Sequence, residues 1–496
     1  MNIRLTLRIQ GGLLLFLGGM LLTPVPFSLW HPQPEAWHDG ALWAFLIASL
    51  ITLTVGLLIF CRVRFEGEMT YREGFAIVTF GWIGFAAFGS LPYLLADVNG
   101  IVHPADAFFE SMSGFSTTGA TVITGLEQQP PSILFWRALT QWLGGMGIIV
   151  LSLAILPFLG VGGMQLFEAE APGPQKDRLS PRIQDTAKVL WGVYVLITLA
   201  EVCLLWLGGM SLFESLCHAL TTMATGGFST RDASVAAYNS YTHVVISVFM
   251  LLAGVNFSLH YFALRGNLRR YWQSDEFRFY IGLIAGVTAV ITLSTALAPE
   301  LPGHVLIKLR DAAFQTISMM TTTGYATADY ERWPALCQYL LVAVMFVGGC
   351  AGSTGGSMKV VRLLLLIKHA FLQLSLLIHP REVRSLKLDH KPVSREVIQS
   401  VLGFFALFMA LFLFASLVMA AILPPTPDGQ ADLVTAATSV IAALGNVGPG
   451  LGSVGPTETY THMPALGKIV LAVCMLVGRL EVFTVLVLFF PSFWRK

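Results

Sequence analysis

The chain has 496 residues, of which 12% are Asp, Glu, Lys or Arg and 55% are hydrophobic, and its mean hydropathy is +0.70. Soluble domains carry about 25% charged residues, so this chain cannot cover soluble domain surfaces with charge. The composition therefore excludes a soluble enzyme and a disordered protein. The net charge of +1 gives no basic excess of the kind that nucleic acid binding needs. A polytopic membrane protein is the remaining class.

The cysteines predict neither a disulfide framework nor a metal site. None forms a Cys-x-x-Cys pair, and most lie in apolar runs. We expect them to be small apolar residues of the interior. They are Cys61, Cys203, Cys217, Cys337, Cys350 and Cys474.

Hydropathy predicts ten membrane spans, since a spanning helix needs about 20 apolar residues. The first is interpreted as a retained helix, because no clear small-residue cleavage site follows it and a second span comes soon after. The span in the third repeat is interrupted by glycines. The predicted spans are 9–29, 41–61, 74–96, 133–159, 187–209, 241–264, 279–298, 335–378, 397–423 and 465–490.

The distribution of basic residues predicts the orientation. With the N-terminus inside, 23 of the 30 Lys and Arg residues fall in inner segments and six in outer segments, while Arg479 lies within a span. Basic residues accumulate on the cytoplasmic side of a membrane protein. Both termini are therefore predicted to be cytoplasmic.

Four outer segments share one design. Each starts near an acidic residue, continues for about a dozen mostly apolar residues and ends in a small-residue run around a glycine. A dozen residues make roughly 18 Å of helix, which cannot cross a hydrocarbon core of about 30 Å. The acids are Asp106, Glu214, Asp311 and Asp432, and the glycines are Gly119, Gly226, Gly324 and Gly448.

This repeat indicates ion permeation. Non-helical backbone at membrane depth is tolerated where it is buried in protein or faces water, and four copies around an axis place the glycine loops along a central pore. A re-entrant helix then points its partly negative C-terminal end inward, which favours a cation. Rings of backbone carbonyls select potassium in known filters. Plain helix caps are the alternative for the loops, and plain capping is the alternative to a cation-attracting mouth for the acids.

The predicted fold is an all-α integral membrane protein with four helix–pore-helix–helix units around a central pore and an N-terminal helix hairpin. The hairpin takes residues 1–66. The units take 67–160, 161–270, 271–378 with the broken inner helix, and 379–496, the last including a cytoplasmic linker.

A glycine cluster breaks the span of the third repeat on the cytoplasmic side of the predicted filter. We interpret it as a flexible intramembrane loop that obstructs the cavity and moves for conduction, with a packing kink as the alternative. A phosphate-binding loop is disfavoured because no Gly-Lys-Ser/Thr follows. The gate residues are Gly348, Gly349, Gly352, Ser353, Thr354, Gly355 and Gly356.

Arg479 lies in the middle of the last span, where an ionisable side chain is costly and by default functional. We expect it to reach the cavity near the glycine break, to act as an electrostatic barrier to cations and to hold the closed gate through carbonyl contacts. A structural ion pair is the alternative. A pair with Glu481 within the helix is disfavoured, since residues two apart face different sides.

Other polar residues in the spans permit two interpretations. Gln141, Asn256 and His260 line the cavity or, as we favour, make hydrogen bonds between helices. Glu201 has no obvious partner, and a role in proton coupling is one possibility for it.

At these residues the sequence resembles the Trk/Ktr/HKT superfamily of potassium transporters, and the N-terminal helix pair fits its Trk branch. The segments 116–121, 223–230, 321–326 and 445–450 are similar to the four pore loops of that family. The stretch 162–174 is similar to its first large cytoplasmic loop.

The resemblance implies a pseudo-fourfold pore made by one chain in the bacterial inner membrane, with potassium as substrate and no organic cofactor. It implies a homodimer embedded in membrane lipid, a cytosolic nucleotide-binding regulatory subunit, and no nucleic-acid partner. Glycine at all four filter positions favours potassium over sodium. The implied filter residues are Thr117, Thr118, Gly119, Ala224, Thr225, Gly226, Thr322, Thr323, Gly324, Asn446, Val447 and Gly448.

Two other function classes are weighed against potassium permeation. A membrane-embedded enzyme would need converging catalytic or metal-binding groups, but the histidines are scattered and no His-Glu-x-x-His occurs. A sodium- or proton-coupled secondary transporter that rocks around broken helices predicts inverted repeats, whereas the four segments here enter from the same side. The cytoplasmic stretches 168–182 and 379–395 face anionic lipid or dock a regulatory subunit.

Overall fold

The computed structural model describes residues 2–29, 40–63, 70–147, 183–301, 303–380, 385–425 and 432–495. Within these ranges seven helices are long and apolar enough to span a membrane, and nine if each of two sharply bent helix pairs is one span. The only strands of the described residues form a hairpin that pairs Lys387–Leu388 with Lys391–Pro392. The predicted all-α membrane architecture is confirmed. The loop 168–182 and the second half of the span 133–159 lie outside the described residues.

The N-terminal hairpin consists of Ile3–Met20, the short helix Val25–Leu29, and Gly40–Arg62. The predicted first span is thus two helices, because Pro24 and Pro26 interrupt the hydrogen-bond ladder. The two long helices cross at glycines: a Cβ on Gly11 would lie 2.9 Å from the carbonyl oxygen of Gly56. Small residues at such a crossing let two backbones approach closely within a membrane.

Each of the four units has an outer helix, a short helix and an inner helix. The outer helices are Tyr71–Gly89 with Leu91–Leu95, then Ile183–Leu207, Asp275–Leu297 and Arg395–Ile422. The short helices are Pro104–Phe115, Leu212–Met223, Val305–Met320 and Leu433–Leu444. The inner helices are Pro131–Trp142 with the π-helical turn Leu143–Gly147, then Ser240–Ala253 with Phe257–Leu264, Ala335–Met345 with Val360–Ile378, and Ala465–Arg479 with Phe483–Leu486.

Smaller elements connect the units. Short α-helices are Arg269–Gln273 after the second unit and Pro491–Trp494 at the C-terminal end. The 3₁₀ turns are Leu126–Gln128, Ser234–Ala237, Tyr330–Arg332, Gly452–Val454, Tyr460–His462 and Val487–Phe489.

The short helices form a closed ring with the inner helices. Each short helix packs against the inner helix of its own unit and also against that of the preceding unit, and the first short helix packs against the fourth inner helix. This cyclic order encloses a common axis. We call the side on which the short helices begin the outer side, following the predicted orientation.

Within the described residues three inner helices are broken, whereas the sequence analysis predicted one break. The inner helix of the second unit bends by 104° between Ala253 and Phe257, and that of the fourth unit bends by 111° between Arg479 and Phe483. In the third unit, residues 346–359 separate the two helical halves. The bend in the fourth unit has a backbone cause, since Glu481 and Val482 both have positive φ angles, of 56° and 57°. Neither a glycine nor a proline marks those two positions, so the pattern gave no signal there.

Candidate ion pathway

The four short helices end in the same hydrogen-bonded turn. In the first unit the Thr118 amide donates to the Ser113 carbonyl at 2.9 Å and the Thr117 amide to Gly114 at 3.0 Å. This pair of bonds is the Schellman motif of a helix C-terminus. The same two bonds recur in the other units, with amide donors Thr225 and Gly226, Thr322 and Thr323, and Asn446 and Val447. The repeat found in the sequence is therefore a repeat of backbone conformation.

This shared turn corrects the register of the second loop by one residue. The left-handed residue of each turn is Thr117, Thr225, Thr322 or Asn446, and the left-handed glycine two residues later is Gly119, Gly227, Gly324 or Gly448. The sequence analysis aligned Gly226 with the other glycines and chose Ala224, Thr225 and Gly226 for the filter. The equivalent residues are Thr225, Gly226 and Gly227. Two adjacent glycines made the register ambiguous, and only the dihedral angles distinguish them.

The left-handed glycines join the loops into a ring. A Cβ on Gly119 would lie 2.2 Å from the Gly226 carbonyl oxygen, one on Gly227 1.9 Å from that of Thr323, one on Gly324 1.9 Å from that of Val447, and one on Gly448 2.6 Å from that of Thr118. Real Cβ atoms do not approach oxygen this closely, so each position requires glycine both for its φ angle and for space. In each case the contacted carbonyl belongs to the residue just before the left-handed glycine of the next loop, and the glycine of the fourth loop contacts the first loop in the same way.

The ring opens into a cavity on its outer side. The cavity has a volume of about 300 Å³, and all four left-handed glycines line it together with Arg137 and Asp232. Gly226 is absent from that lining, which agrees with the corrected register. Four loops from distant parts of the chain thus converge on one cavity.

Three of the four turns hold a β-branched residue in the left-handed region. Thr117, Thr225 and Thr322 have φ angles of 55°, 53° and 61°. Such residues rarely adopt positive φ, and each costs on the order of 1–3 kcal/mol. Strain of this size persists where the surroundings fix the conformation, which is a property of functional sites.

The acids at the starts of the short helices are largely neutralised by basic partners. Asp106 pairs with Lys468 at 2.7 Å, Glu214 with Arg231 at 2.8 Å, and Asp311 with Arg310 at 2.8 Å. Asp432 instead accepts the Thr435 amide as a helix cap. Asp106, Glu214 and Asp311 are thus paired, and Asp432 caps its helix. Asp311, which was expected near a helix start, is the seventh residue of Val305–Met320 and does not cap it. The cation-attracting mouth of the sequence analysis therefore has little free charge.

A further carboxylate joins the third and fourth units on the outer side. Glu331 accepts the Gly452 amide at 2.6 Å. Burial raises the pKa of the Glu331 carboxyl group, and nearby Asp329 and Glu458 act in the same direction, while the Gly452 amide opposes them. Glu331 was not singled out from the sequence, because nothing in its local pattern distinguishes it from other loop acids.

Gln141, Asn256 and His260 make hydrogen bonds to backbone groups, and His260 also contacts a side chain. The Gln141 amide donates to the Gly226 carbonyl at 2.7 Å and its oxygen accepts the Phe228 amide at 3.1 Å. Asn256 caps the second half of its broken helix by accepting the Ser258 amide. His260 contacts the Tyr271 hydroxyl and the Leu252 carbonyl. Gln141 therefore supports the second loop from behind.

Two other groups of residues have mixed outcomes. Glu201 is fully buried, and neither carboxylate oxygen has a hydrogen-bond partner among the described residues. All six cysteines are unpaired. Four of them are buried as expected, but Cys61 and Cys203 are exposed on their helices, where the lipid would cover them.

The glycine-rich segment 346–359 lies directly against the inner side of the ring. The Gly356 amide donates to the Thr322 hydroxyl at 2.7 Å, and a Cβ on Gly356 would lie 2.5 Å from the Gly445 carbonyl oxygen. The Thr354 hydroxyl donates to the carbonyls of Met223 at 3.0 Å and Ala253 at 3.2 Å. The segment is thus bonded to the ends of the second and third short helices.

Arg479 links this segment to the opposite side of the ring. Its guanidinium donates to the Thr354 carbonyl at 2.8 Å and to the Gly145 carbonyl at 2.9 Å, and it also bonds the Gly144 carbonyl. One side chain therefore connects the inner helices of the first and fourth units to the glycine-rich segment. The structure brings Arg479 and the predicted gate residues together through carbonyl contacts.

Other charged residues at this level were missed by the sequence analysis. Glu481 pairs with Arg362, whose guanidinium stacks on the Phe404 ring at 3.9 Å. Glu276 accepts the amides of Ala351 at 2.7 Å and Val361 at 3.1 Å, which connects the segment to the first turn of the helix that follows it. These partners are far apart in sequence, and no local spacing predicts their contacts.

The comparisons with known proteins agree with this geometry. Residues 43–496 match the family model described as TrkH, cation transport protein. This chain belongs to the TrkH family. The family is one of membrane transport proteins and not of enzymes, as expected from the sequence.

Relatives match over the whole length. The chain is 42% identical over 500 residues to the Trk system potassium uptake protein TrkH of Escherichia coli K12, covering 100% of both chains. It is 33% identical to the Trk system potassium uptake protein TrkG of the same organism, covering 96% of this chain and 97% of that one. The crystal structure of the potassium transporter TrkH from Vibrio parahaemolyticus superposes with a TM-score of 0.87 at 38% identity, covering 100% of both chains.

Proposed function

We propose that this chain is the potassium-translocating subunit of a Trk-type uptake system in the bacterial inner membrane. The observation that carries the proposal is the closed ring of four left-handed glycines, each fitted against a carbonyl of the next loop. Such a ring provides backbone oxygens around one axis, which is how a filter replaces the hydration shell of potassium. The potassium uptake named for the TrkH and TrkG relatives supports the same substrate.

The proposed filter takes the corrected register. Its residues are Thr117, Thr118 and Gly119, then Thr225, Gly226 and Gly227, then Thr322, Thr323 and Gly324, and finally Asn446, Val447 and Gly448. The short helices end at these residues, so their partly negative C-terminal ends favour a cation at the ring. Potassium is the substrate, and the proposal involves no organic cofactor.

The proposed gate is segment 346–359 with Arg479. It comprises Gly348, Gly349, Gly352, Ser353, Thr354, Gly355 and Gly356, and it blocks the path below the ring while its hydrogen bonds persist. The arginine adds a positive charge, which raises the barrier for a cation. Conduction then requires the segment to leave the axis, and the glycines give the backbone the freedom to do so.

The wider assembly follows the same proposal. The units extend over 67–160, 161–270, 271–378 and 379–496, after a hairpin at 1–66, and both termini are cytoplasmic. The chain forms a homodimer in membrane lipid and binds a cytosolic nucleotide-binding regulatory subunit, with which the name "Trk system" of the relatives is in accord.

Growth and flux measurements test the proposal. Expression of the chain in a strain that lacks potassium uptake is expected to restore growth at micromolar external potassium. Failure to restore growth, with the protein present in the membrane, would contradict a potassium uptake function. The alternative is a sodium- or proton-coupled secondary transporter. In liposomes, a reversal potential that moves with an imposed pH or sodium gradient supports coupling, and one that follows potassium alone supports passive flux.

A further inference from the structure

A buried ion pair lies behind the junction of the first and second loops. The Arg137 Nε atom donates to Glu110 at 2.9 Å, and the two side chains are 2% and 0% exposed. Glu110 belongs to the first short helix, and Arg137 belongs to the inner helix of the same unit. A charged pair inside a membrane protein is costly unless its remaining hydrogen-bonding groups are also satisfied.

Glu110 fixes the first loop just after its left-handed glycine. Its carboxylate accepts the Val122 amide at 2.9 Å and the Thr121 hydroxyl at 3.0 Å. Thr121 and Val122 lie two and three residues beyond Gly119. The carboxylate of Glu110 therefore fixes the segment of the first loop that follows Gly119.

Arg137 fixes the equivalent segment of the second loop, which follows Gly227. Its Nη1 atom donates to the Ser229 carbonyl at 3.0 Å, and its guanidinium lies 4.1 Å from the centre of the Phe228 ring. Its Nη2 atom donates to the Thr121 hydroxyl of the first loop at 3.1 Å. One guanidinium thus connects two neighbouring loops immediately outside the ring, at a buried site where charge-assisted hydrogen bonds are strong.

This connection occurs in one unit only. The position of Glu110, seven residues before the left-handed residue of the turn, is occupied in the other three units by His218, Gln315 and Ser439. The position of Arg137, seven residues after the N-cap of the inner helix, is occupied in the other three units by Ile246, Leu341 and Leu471. At these equivalent positions, only the first unit therefore carries a buried Arg–Glu ion pair.

We propose that Glu110 and Arg137 are positioning residues that set the selectivity of the filter for potassium over sodium. The inference rests on the proposed function. A carbonyl ring discriminates against the smaller ion when its loops resist closing around it, because the oxygens then remain at the distance that suits potassium. The charged brace resists that closure between Gly119 and Gly227, whose loops meet through the Gly226 carbonyl.

The test is the permeability ratio of potassium to sodium, taken from bi-ionic reversal potentials of the purified full chain in liposomes. The double variant Glu110→Gln with Arg137→Met removes both charges and leaves no unpaired one in the interior. We expect its potassium preference to fall at least tenfold while it remains monodisperse in detergent. Arg137→Lys keeps the charge but has no planar fork to reach Ser229 and Thr121 together, so we expect an intermediate ratio.

The matched control is the buried pair of Asp106 and Lys468, whose side chains are 3% and 5% exposed. It sits at the outer start of the same short helix and bonds no residue of the ring. Asp106→Asn with Lys468→Met is expected to lower thermal stability and to leave the ion ratio within twofold of the wild type. An equal loss of selectivity in this control would overturn the inference, since any damage to the short helix would then suffice.

The remaining outcomes are decisive as well. A double variant that keeps the wild-type ratio overturns the role of the brace and leaves the proposed function standing. A wild-type chain without preference for potassium contradicts the proposed function itself. If the double variant does not fold, Glu110→Gln alone, which is nearly isosteric, carries the test with an expected loss of at least threefold, and an unchanged ratio rejects the inference.

Discussion

The guanidinium of Arg479 donates a 2.8 Å hydrogen bond to the carbonyl oxygen of Thr354. These residues are 125 positions apart and belong to different units. The bond joins the last inner helix to the middle of the glycine-rich segment, and the same guanidinium reaches the Gly145 carbonyl of the first unit. Because these partners are backbone carbonyls, Arg479 stabilises one position of that backbone and loses these bonds when the segment moves.

Replacing Arg479 is therefore expected to favour the open state. Arg479→Ala removes three carbonyl contacts and the positive charge below the ring, so we expect potassium flux in the absence of a regulatory subunit to rise several-fold. The measurement is rubidium uptake into liposomes that hold the purified chain. Arg479→Lys keeps the charge but cannot bond all three carbonyls, so an increase that both variants share assigns the effect to the bonds. Unchanged flux in Arg479→Ala would falsify both proposed roles of Arg479, the electrostatic barrier to cations and the stabilisation of the closed gate.

The Thr354 side chain offers a milder test of the same segment. Thr354→Val keeps the shape and removes a hydroxyl that bonds the carbonyls of Met223 and Ala253. A buried hydrogen bond contributes about 1 kcal/mol, so we expect flux to rise by a few-fold with a small fall in melting temperature. Thr52→Val is the control, since Thr52 is buried in the N-terminal hairpin and bonds only Ala48 of its own helix. If both variants change flux alike, the effect is one of general stability.

Much of the architecture follows from sequence because membrane helices and glycine runs have strong local signatures. The short helices are too brief to cross the bilayer, and the small-residue run at the end of each makes the fourfold repeat recognisable in the sequence alone. The same local logic failed at Gly226 and Gly227, since either glycine satisfies the pattern. The choice depends on which of them meets the Thr323 carbonyl in the third loop, and that contact is tertiary.

The residues that were missed share one property. Glu110 and Arg137 lie 27 positions apart, and Glu276 and Ala351 lie 75 apart. Their importance comes from partners that only the folded ring brings near. Similarly, the bend at Glu481 and Val482 has positive φ angles at two positions where no glycine or proline predicts them.

The corrected register of the second loop gives a third prediction. Gly227→Ala forces a Cβ to within 1.9 Å of the Thr323 carbonyl oxygen at a φ angle of 77°, so we expect rubidium flux to be abolished. At Gly226 the conflict is with the Gln141 amide group, 2.3 Å away, which is the end of a flexible side chain. We expect Gly226→Ala to lower rubidium flux. Shortening the Gln141 side chain in the double variant Gly226→Ala with Gln141→Ser is expected to restore part of that flux.

The same second change provides the internal control. Gln141→Ser added to Gly227→Ala is expected to restore nothing, because the backbone conflict with the third loop remains. Rescue at Gly227, or an unimpaired Gly227→Ala protein, would contradict the register and return Gly226 to the equivalent position. Protein yield and monodispersity are measured beside flux, so that misfolded variants are recognised.

The helix crossing in the N-terminal hairpin gives a fourth prediction, on stability alone. Gly11→Ala places a methyl group 2.8 Å from the Phe60 nitrogen and 2.9 Å from the Gly56 oxygen, both backbone atoms that cannot move aside without separating the helices. Gly19 lies in the last turn of the same helix with nothing within 4 Å of its potential Cβ. Alanine there improves helix propensity by up to about 1 kcal/mol. We expect Gly11→Ala to lower the melting temperature in detergent by several degrees and Gly19→Ala to leave it unchanged or slightly higher, whereas equal melting temperatures for the two variants would show that the helices do not cross at Gly11.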